Sequence, residues 1–535
     1  MSTHAMRRTF RAFGLILAAA GGCATGDSRL SREEYRDRCA GAWAGQMIGV
    51  CYGESYQFQS NGKPITGPIE PWDPAKIEGA LRQDDVYVEQ TFLAAIQKHG
   101  LDITPEQAGL AFAATTYPLW HANYYGRTNV RRGIMPPMSG NPRYNRHCDD
   151  IDFQIEADVL GIVAPGMPGE SNRLCDVFGH VMNYGDGVYG GMFVAGMYAE
   201  AFFESRDVMK VVRAGLACIP RASQYHRCIT DTIRACQAHP DDWLAAWHEV
   251  ERRWNDDLDC IPGNPHNIDA RLNGAYIVIG LYYGRGDLLK TIEICTRCGQ
   301  DADSSTSNAG GVVGCMKGYK ALGRAVEGIP AIADRTFLGS DYSFNTLVPA
   351  CEAVAEAVVR RAGGLATAEG FDVVRQKPRP PAGLEQWTDE ARMLMLPVTA
   401  NEVALWDDRW QPVQAACTFR GGFYPSEYGR SNVLMIFPIR PDSPGAIAAT
   451  LRMPDSETAT LAVEVATETQ HGDCLMRVMI AGKPAMEKVI QTGGEFVTET
   501  VGVRAVPGSD VEVRLEFHAN DYSFEAAYIR SVELK

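Results

Sequence analysis

Cys298-Gly299-Gln300-Asp301-Ala302-Asp303-Ser304, continued by Asn308-Ala309-Gly310-Gly311 and Gly314, decides how this 535-residue chain is read. Two carboxylates and a hydroxyl stand where a helix begins, and glycines follow four residues apart. More than two hundred residues earlier, Gln83-Asp84-Asp85 stands before another helical stretch. Four carboxylates from two helix starts can enclose one or two hard cations, which prefer oxygen ligands and keep some of their waters. Two such ions polarise a leaving oxygen and make hydroxide from water near neutral pH. Asp and Ser are also the commonest helix N-caps, so either cluster alone reads more readily as a cap. Taken together, the two clusters favour metal binding.

The Asp301 segment resembles the Gly-x-Asp-x-Asp-Thr/Ser signature of the ADP-ribosylglycohydrolase family. Gly41-Ala42-Trp43-Ala44-Gly45-Gln46-Met47-Ile48-Gly49 is similar to that family's first Gly-rich helix, and Asp84-Asp85 falls on its Thr-Asp-Asp metal motif. The resemblance runs over roughly residues 30 to 360. It implies that Asp84, Asp85, Asp301, Asp303 and Ser304 hold Mg²⁺ or Mn²⁺, two ions in all, with Gln83 as an extra ligand. Three positions depart from the family pattern: Gln46 replaces an Asp, Gln83 a Thr and Val86 a Thr. A Gln amide oxygen still ligates a hard cation, but without charge and at a different reach.

From about Ser31 to Arg361 apolar residues recur at three and four, punctuated by Gly and Pro, which reads as an orthogonal all-α bundle. Glu89 to His99, Glu106 to Thr116, Gly190 to Phe203, Leu272 to Tyr283 and Ala309 to Leu322 are expected helices. Gly41, Gly45 and Gly49 would let two helix backbones approach closely. From Gly363 to Ala400 the periodicity fades, and Lys377-Pro378-Arg379-Pro380-Pro381 reads as an extended linker. Alternation then takes over in Val433 to Phe437, Ala449 to Met453, Thr460 to Val465 and Val511 to Phe517. The expectation is a multi-domain chain: a catalytic domain over 28–362, a linker over 363–400, and a jelly-roll β-sandwich over 401–535. The sandwich resembles, in pattern, the galactose-binding-like modules of extracellular glycosidases.

The N-terminus carries Arg7-Arg8 and Arg11, an apolar run from Ala12 to Ala20, and Ala20-Gly21-Gly22-Cys23, similar to a bacterial lipobox. Residues 1–23 thus read as a lipoprotein signal peptide, with Cys23 lipidated and the protein exported to the cell envelope, periplasm or outer membrane. A net charge of −15 argues against nucleic acid as a partner. The expected partner is a small-molecule or glycan substrate, with membrane contact only through the lipid anchor. Fifteen cysteines lie scattered and mostly in apolar surroundings, which reads as buried free thiols; Cys295-Thr296-Arg297-Cys298 reads as packing.

Further residues are candidates for the substrate or the chemistry. Asp152, Ile155 and Glu156 would share one helical face, where a carboxylate serves as general base or holds a sugar hydroxyl; a capped, solvent-facing acidic turn is an equal reading. Asp84 and Glu156 are the catalytic candidates. Asn183, Gly185, Asp186 and Tyr189 belong to a Gly-rich loop at the family's ribose pocket, although most such loops are merely tight turns. Asn267 and Asn273, after His266, would donate to hydroxyls or cap a helix. Glu54 lies one residue out of register with a Glu that gates the family's metal pocket. Trp120-His121-Ala122-Asn123-Tyr124-Tyr125 reads as an aromatic loop, more often core than stacking platform. No Gly-x-Ser-x-Gly elbow or Walker-type loop is present, and histidines show no metal spacing, which disfavours a zinc hydrolase.

The expected activity is a metal-dependent glycoside hydrolase cleaving a ribosyl-like N- or O-glycosidic bond. Two alternatives stand beside it: an exported furanosidase-type enzyme acting on extracellular glycans or nucleoside-like compounds, and a non-catalytic sugar-binding envelope lipoprotein.

Overall fold

The computed structural model describes residues 28–145, 147–255, 267–386, 398, 400–414, 422–427, 429–436, 444–467, 472–519 and 526–535. The segment read as a signal peptide, residues 1–23 with Cys23, and His266 lie outside them.

The first half is helical, and its centre is a pair of helices packed backbone on backbone. Helix α1 (Arg32–Gly53) starts on a capping box, in which Ser31 and Glu34 satisfy each other's backbone N–H. It lies against helix Ala302–Lys317. A Cβ added at Gly41 would meet Gly314 O at 2.3 Å, and one at Gly45 would meet Gly310 O at 2.2 Å. At Gly49 the clash would be with Thr306 O, also at 2.3 Å. The four-residue glycine spacing is therefore a contact seam. It sets the start of helix Ala302–Lys317 beside the end of α1, where Glu54 begins a short 3₁₀ turn.

The expected helices are present with shifted ends. Helix α2 runs Asp84–His99, starting at the acidic pair itself. Helices Pro105–Ala113, Asp186–Ala201 and Ala270–Gly284 match three other expectations. Ala302–Lys317 stops short of Leu322, because Gly318 turns the backbone to φ 80° and a 3₁₀ turn, Tyr319–Val326, follows. The aromatic stretch after Trp120 is a helix rather than a loop, His121–Arg131, with Trp120 at its N-cap position. Its buried face carries Ala122, Asn123 and Tyr125, and packing overrides the weak helix propensity of its aromatics and Asn.

The segment read as a linker begins with two short strands. β2 (Leu365–Ala366) and β3 (Gly370–Asp372) join β1 (Arg29–Ser31) in the antiparallel order β1-β3-β2, tying residues after the bundle back to its first helix. Helix Ala400–Trp406 then leads into ten strands. These are β4 (Trp410–Gln414), β5 (Gly422–Glu427), β6 (Arg430–Ile436), β7 (Gly445–Arg452), β8 (Thr458–Thr467), β9 (Cys474–Ile480), β10 (Lys483–Ile490), β11 (Val497–Arg504), β12 (Asp510–His518) and β13 (Ala527–Leu534). They form two antiparallel sheets, ordered β10-β9-β12-β7-β4 and β11-β8-β13-β6-β5. In β12, Val511, Val513, Leu515 and Phe517 are buried while the residues between them are not, the period-2 pattern of a sandwich core.

The outer face of the second sheet is also covered. Tyr424, Val433, Met435 and Tyr528 form a buried cluster against Tyr124 of the bundle. Tyr124 and Tyr424 stack at 4.8 Å, and Arg132 lies over Phe423 at 4.3 Å. The described cysteines are buried. No helix among the described residues is long and apolar enough to cross a membrane.

Candidate active site

The helix starts of α2 and Ala302–Lys317 meet at a cleft of about 470 Å³. Its lining includes Glu54, Gln57, Gln83, Asp84, Asp152, Asp301 and Ser304, with Trp120 and His121 on another part of the wall.

Capping does not explain the acidic residues. Elsewhere in the bundle Ser31, Thr104, Asp207, Ser223, Asp242 and Asp287 each cap a helix through a side-chain bond to a backbone N–H. Asp301 stands at the N-cap position of its helix and makes no such bond, and neither does Gln83 at the N-cap of α2. Asp301 instead accepts from Gln57 Nε2 at 2.9 Å and from Ser304 Oγ at 3.0 Å. Ser304 Oγ also lies 3.5 Å from Asp85 Oδ2, so one hydroxyl spans both clusters. The carboxylate that helix Ala302–Lys317 could use as its cap is turned to the cleft instead.

The electrostatics follow from crowding four acids without a counter-cation. Among the described residues no Lys or Arg pairs with Asp84, Asp85, Asp301 or Asp303. Burial, with Asp301 adding repulsion, pushes the Asp84 carboxyl up to about 6. Burial and the neighbouring acids hold Asp85 and Asp303 well above the usual carboxylate range. Asp85 Oδ1 and Asp303 Oδ1 are buried and accept no hydrogen bond. Acceptor-only oxygens with nothing to accept fit a hard divalent cation: oxygen donors, net negative charge, desolvated.

Two of the three departures are accommodated in the core. Gln46 is buried and donates to the backbone O of Asp85 at 3.3 Å, so it braces the acidic pair from behind. Val86 is fully buried and Gln83 faces the cleft.

Only part of the remaining candidate set reaches the cleft. Glu54 and Asp152 line it. Glu156 does not: it is fully buried, with Asn123 Nδ2 donating to its Oε1, so it shares no cleft face with Asp152 and Ile155. The acidic turn is not solvent-facing either, since Asp149, Asp150, Asp152, Glu156 and Asp158 are all buried. Asn183 is structural, donating to Cys148 O and Asp150 O and accepting from Phe153 N. Gly185 N donates to Glu385 at 3.0 Å, and Tyr189 Oη accepts from Glu385 N at 2.7 Å. Asp186 accepts from Tyr225 N. Asn273 donates to Asn267 O and Asp269 O, while Asn267 Oδ1 accepts from Asp269 N. The Asn183–Tyr189 loop thus clasps the later chain through Glu385, and the Asn267–Asn273 turn braces the helix it opens.

Gln57, Arg82 and His121 join the site without having been singled out for it. Gln57 sits in a polar stretch with no distinguishing spacing. Arg82 immediately precedes the acidic motif, the one signal that could have drawn attention to it. Trp120, 40% exposed, stands at the cleft wall rather than in the core.

The chain is thus a helical bundle that brings two acidic helix starts to one cleft, followed by a β-sandwich. The ADP-ribosylglycohydrolase family model matches residues 31–342, more than half of the chain, and this protein belongs to that family, whose members are glycosidic-bond hydrolases. Among solved structures, an ADP-ribosylglycohydrolase-related protein complex is 14% identical, covering 61% of this chain and 99% of that one, with a TM-score of 0.39. The C-terminal domain of EclA, a sugar-binding protein, is 18% identical, covering 19% of this chain and 76% of that one, at a TM-score of 0.17. A family GH115 4-O-methyl-alpha-glucuronidase with specificity for decorated arabinogalactans is 10% identical, covering 79% and 50%, also at 0.17. No curated protein matches.

Proposed function

We propose that this protein is a metal-dependent glycoside hydrolase that cleaves a ribosyl-like N- or O-glycosidic bond. The observation that supports it most is Asp301, which forgoes its capping bond and faces the cleft with Asp84 and Ser304, while Asp85 and Asp303 are buried beyond its lining. These five residues would hold Mg²⁺ or Mn²⁺, with Gln83 within the same cleft as a neutral oxygen donor. The bound ions would supply Lewis-acid polarisation and an activated water.

The chain's own residues divide the remaining work. Asp84, half-buried and with its carboxyl raised to about 6, is the catalytic carboxylate in the cleft; Glu156 is walled off from it. Gln57 and Ser304 fix the orientation of Asp301. Trp120 offers a flat apolar face for stacking a sugar or base. Arg82 supplies the local positive charge that an anionic aglycone needs beside an otherwise acidic chain. Cleavage would pass through an oxocarbenium-like transition state, as in other glycoside hydrolyses.

The Arg7 to Cys23 segment favours export and lipid anchoring in the envelope. That address favours a furanoside of an extracellular glycan, or a nucleoside-like compound, over an intracellular ADP-ribosylated protein. The test is hydrolysis of ADP-ribosyl, nucleoside and aryl-furanoside substrates by the native protein and by Asp84→Asn, with and without a chelator. Turnover abolished by chelator and by Asp84→Asn supports the reading. Full turnover in chelator contradicts it.

A further inference from the structure

A second group of donors gathers beside the same cleft, which two of them line, carried by different elements from the acidic cluster. His121 opens helix His121–Arg131, Asp152 opens helix Asp152–Glu156, and Asp150 sits just before the latter in a β-bridge to Asp269. One ligand atom from each of His121, Asp150 and Asp152 lies within 4.8 Å of the other two. Among the described residues no other trio of His, Cys, Asp or Glu side chains meets that spacing.

Two details separate this group from an ordinary polar patch. Asp152 is only 5% exposed, and its Oδ1 accepts from the backbone N–H of Asn123 at 2.9 Å. Its Oδ2 has no hydrogen-bond partner, although the carboxyl lines the cleft. A buried carboxylate oxygen without a donor is costly unless a proton or a cation is bound to it. Asp150 is oriented from behind, because His147 Nδ1 lies 2.7 Å from its Oδ2 and both residues are buried. A hydrogen bond of this kind is what holds a ligating carboxylate in place.

We propose that His121, Asp150 and Asp152 form a separate seat for a transition-type divalent cation such as Zn²⁺, Co²⁺ or Mn²⁺. One imidazole nitrogen with two carboxylates is a mixed N/O donor set, which these ions accept and which Mg²⁺ and Ca²⁺ do not favour. The oxygen-only cluster of Asp84, Asp85, Asp301 and Asp303 is built for the harder ions. Three protein donors leave at least one coordination position open. An anionic substrate group could bind there, adding to the attraction that Arg82 gives the cleft of a chain of net charge −15. The three residues lie far apart in sequence or at no regular spacing, so only the fold assembles them.

The test is calorimetric titration of Zn²⁺ into the full chain in saturating Mg²⁺, which occupies the oxygen cluster. The variants are His121→Gly, Asp152→Asn and the Asp301→Ala, Asp303→Ala pair, each checked for a native melting transition. Glycine suits position 121, where the backbone φ is 38°. The proposal expects one Zn²⁺ per chain, retained in the Asp301/Asp303 variant and weakened at least about tenfold in either of the other two. It is overturned if native protein binds no Zn²⁺, if both substitutions leave the affinity unchanged, or if only the Asp301/Asp303 pair removes it. A readout free of variants is the electron paramagnetic resonance spectrum of native protein with one Cu²⁺ in the same Mg²⁺ buffer. Nitrogen coupling from one imidazole is expected, and an oxygen-only spectrum contradicts the site.

Discussion

Asp301 and Ser304, three residues apart at the start of one helix, are joined by a hydrogen bond of 3.0 Å from Ser304 Oγ to Asp301 Oδ2, in the middle of the acidic cluster. With no cation bound, burial and mutual repulsion oppose full ionisation of these acids. Burial and the neighbouring acids raise Asp303 well above its ordinary range and Asp84 to about 6. A group whose folded pKa is raised contributes stability that is present below its unfolded pKa and lost as pH rises through the folded value. For Asp84 that window runs from about 3.8 to about 6. Chelator-treated protein should therefore lose stability across that range, and Mg²⁺ should restore it increasingly as pH rises. At a hundred times Kd the restoration is about 2.7 kcal/mol. Melting curves at a series of pH values, with and without Mg²⁺, check this; a metal effect independent of pH would contradict it.

The glycine seam between α1 and helix Ala302–Lys317 tolerates no side chain. Gly45→Ala would place a Cβ 2.2 Å from Gly310 O, a backbone atom that cannot swing aside. We expect a loss of about 3 kcal/mol or more, seen as a large fall in the urea midpoint or in soluble yield. Gly502→Ala in β11, with nothing within 4 Å, should change stability by no more than about 0.5 kcal/mol.

The seam and the acidic pair show what a single chain makes legible. Residues at fixed spacing on one helix, such as Gly41, Gly45 and Gly49, or Asp301, Asp303 and Ser304, can be read before folding because the helix repeat sets their geometry. The alternation of β12 is legible for the same reason. Glu156 and Asn183 misled because a polar residue near a functional motif and one that braces it look alike in sequence. Trp120 was legible as an aromatic but not as exposed. The trio of His121, Asp150 and Asp152, and the clasp between His180 and Glu385, come from segments that meet only through tertiary packing.

That clasp should respond to pH. His180 Nε2 lies 3.0 Å from Glu385 Oε1, pinning the later chain to helix Pro168–Met182. Burial alone would lower the His180 pKa, but the Glu385 carboxylate carries it above 6.5; burial would raise Glu385, but His180 holds it below 4.5. The histidine's contribution is full below about 6.5 and lost as pH rises through its higher folded pKa. The glutamate's is full above about 4.5 and lost as pH falls through its lower one. Glu385→Gln should thus cost most between pH 4.5 and 6.5, about 1–2 kcal/mol. Denaturant midpoints at pH 5.5 and pH 9 check it, with the smaller difference expected at pH 9.

The stacking of Tyr124 on Tyr424 links the sandwich to helix His121–Arg131, whose start stands at the cleft. Tyr424→Ala should remove about 0.5–1.5 kcal/mol beyond the lost burial. If the sandwich steadies that helix, substrate KM should rise while kcat changes little. Steady-state kinetics on whichever substrate is turned over checks this split.

The central claim is that Asp84, Asp85, Asp301 and Asp303 hold divalent metal, and calorimetric titration of Mg²⁺ and Mn²⁺ into native protein and the Asp301→Ala, Asp303→Ala variant tests it most directly. The account predicts saturable binding to the native chain and none to the variant, with both showing native-like circular dichroism. Native protein that binds neither ion, or a variant that binds as tightly as the native chain, would contradict it.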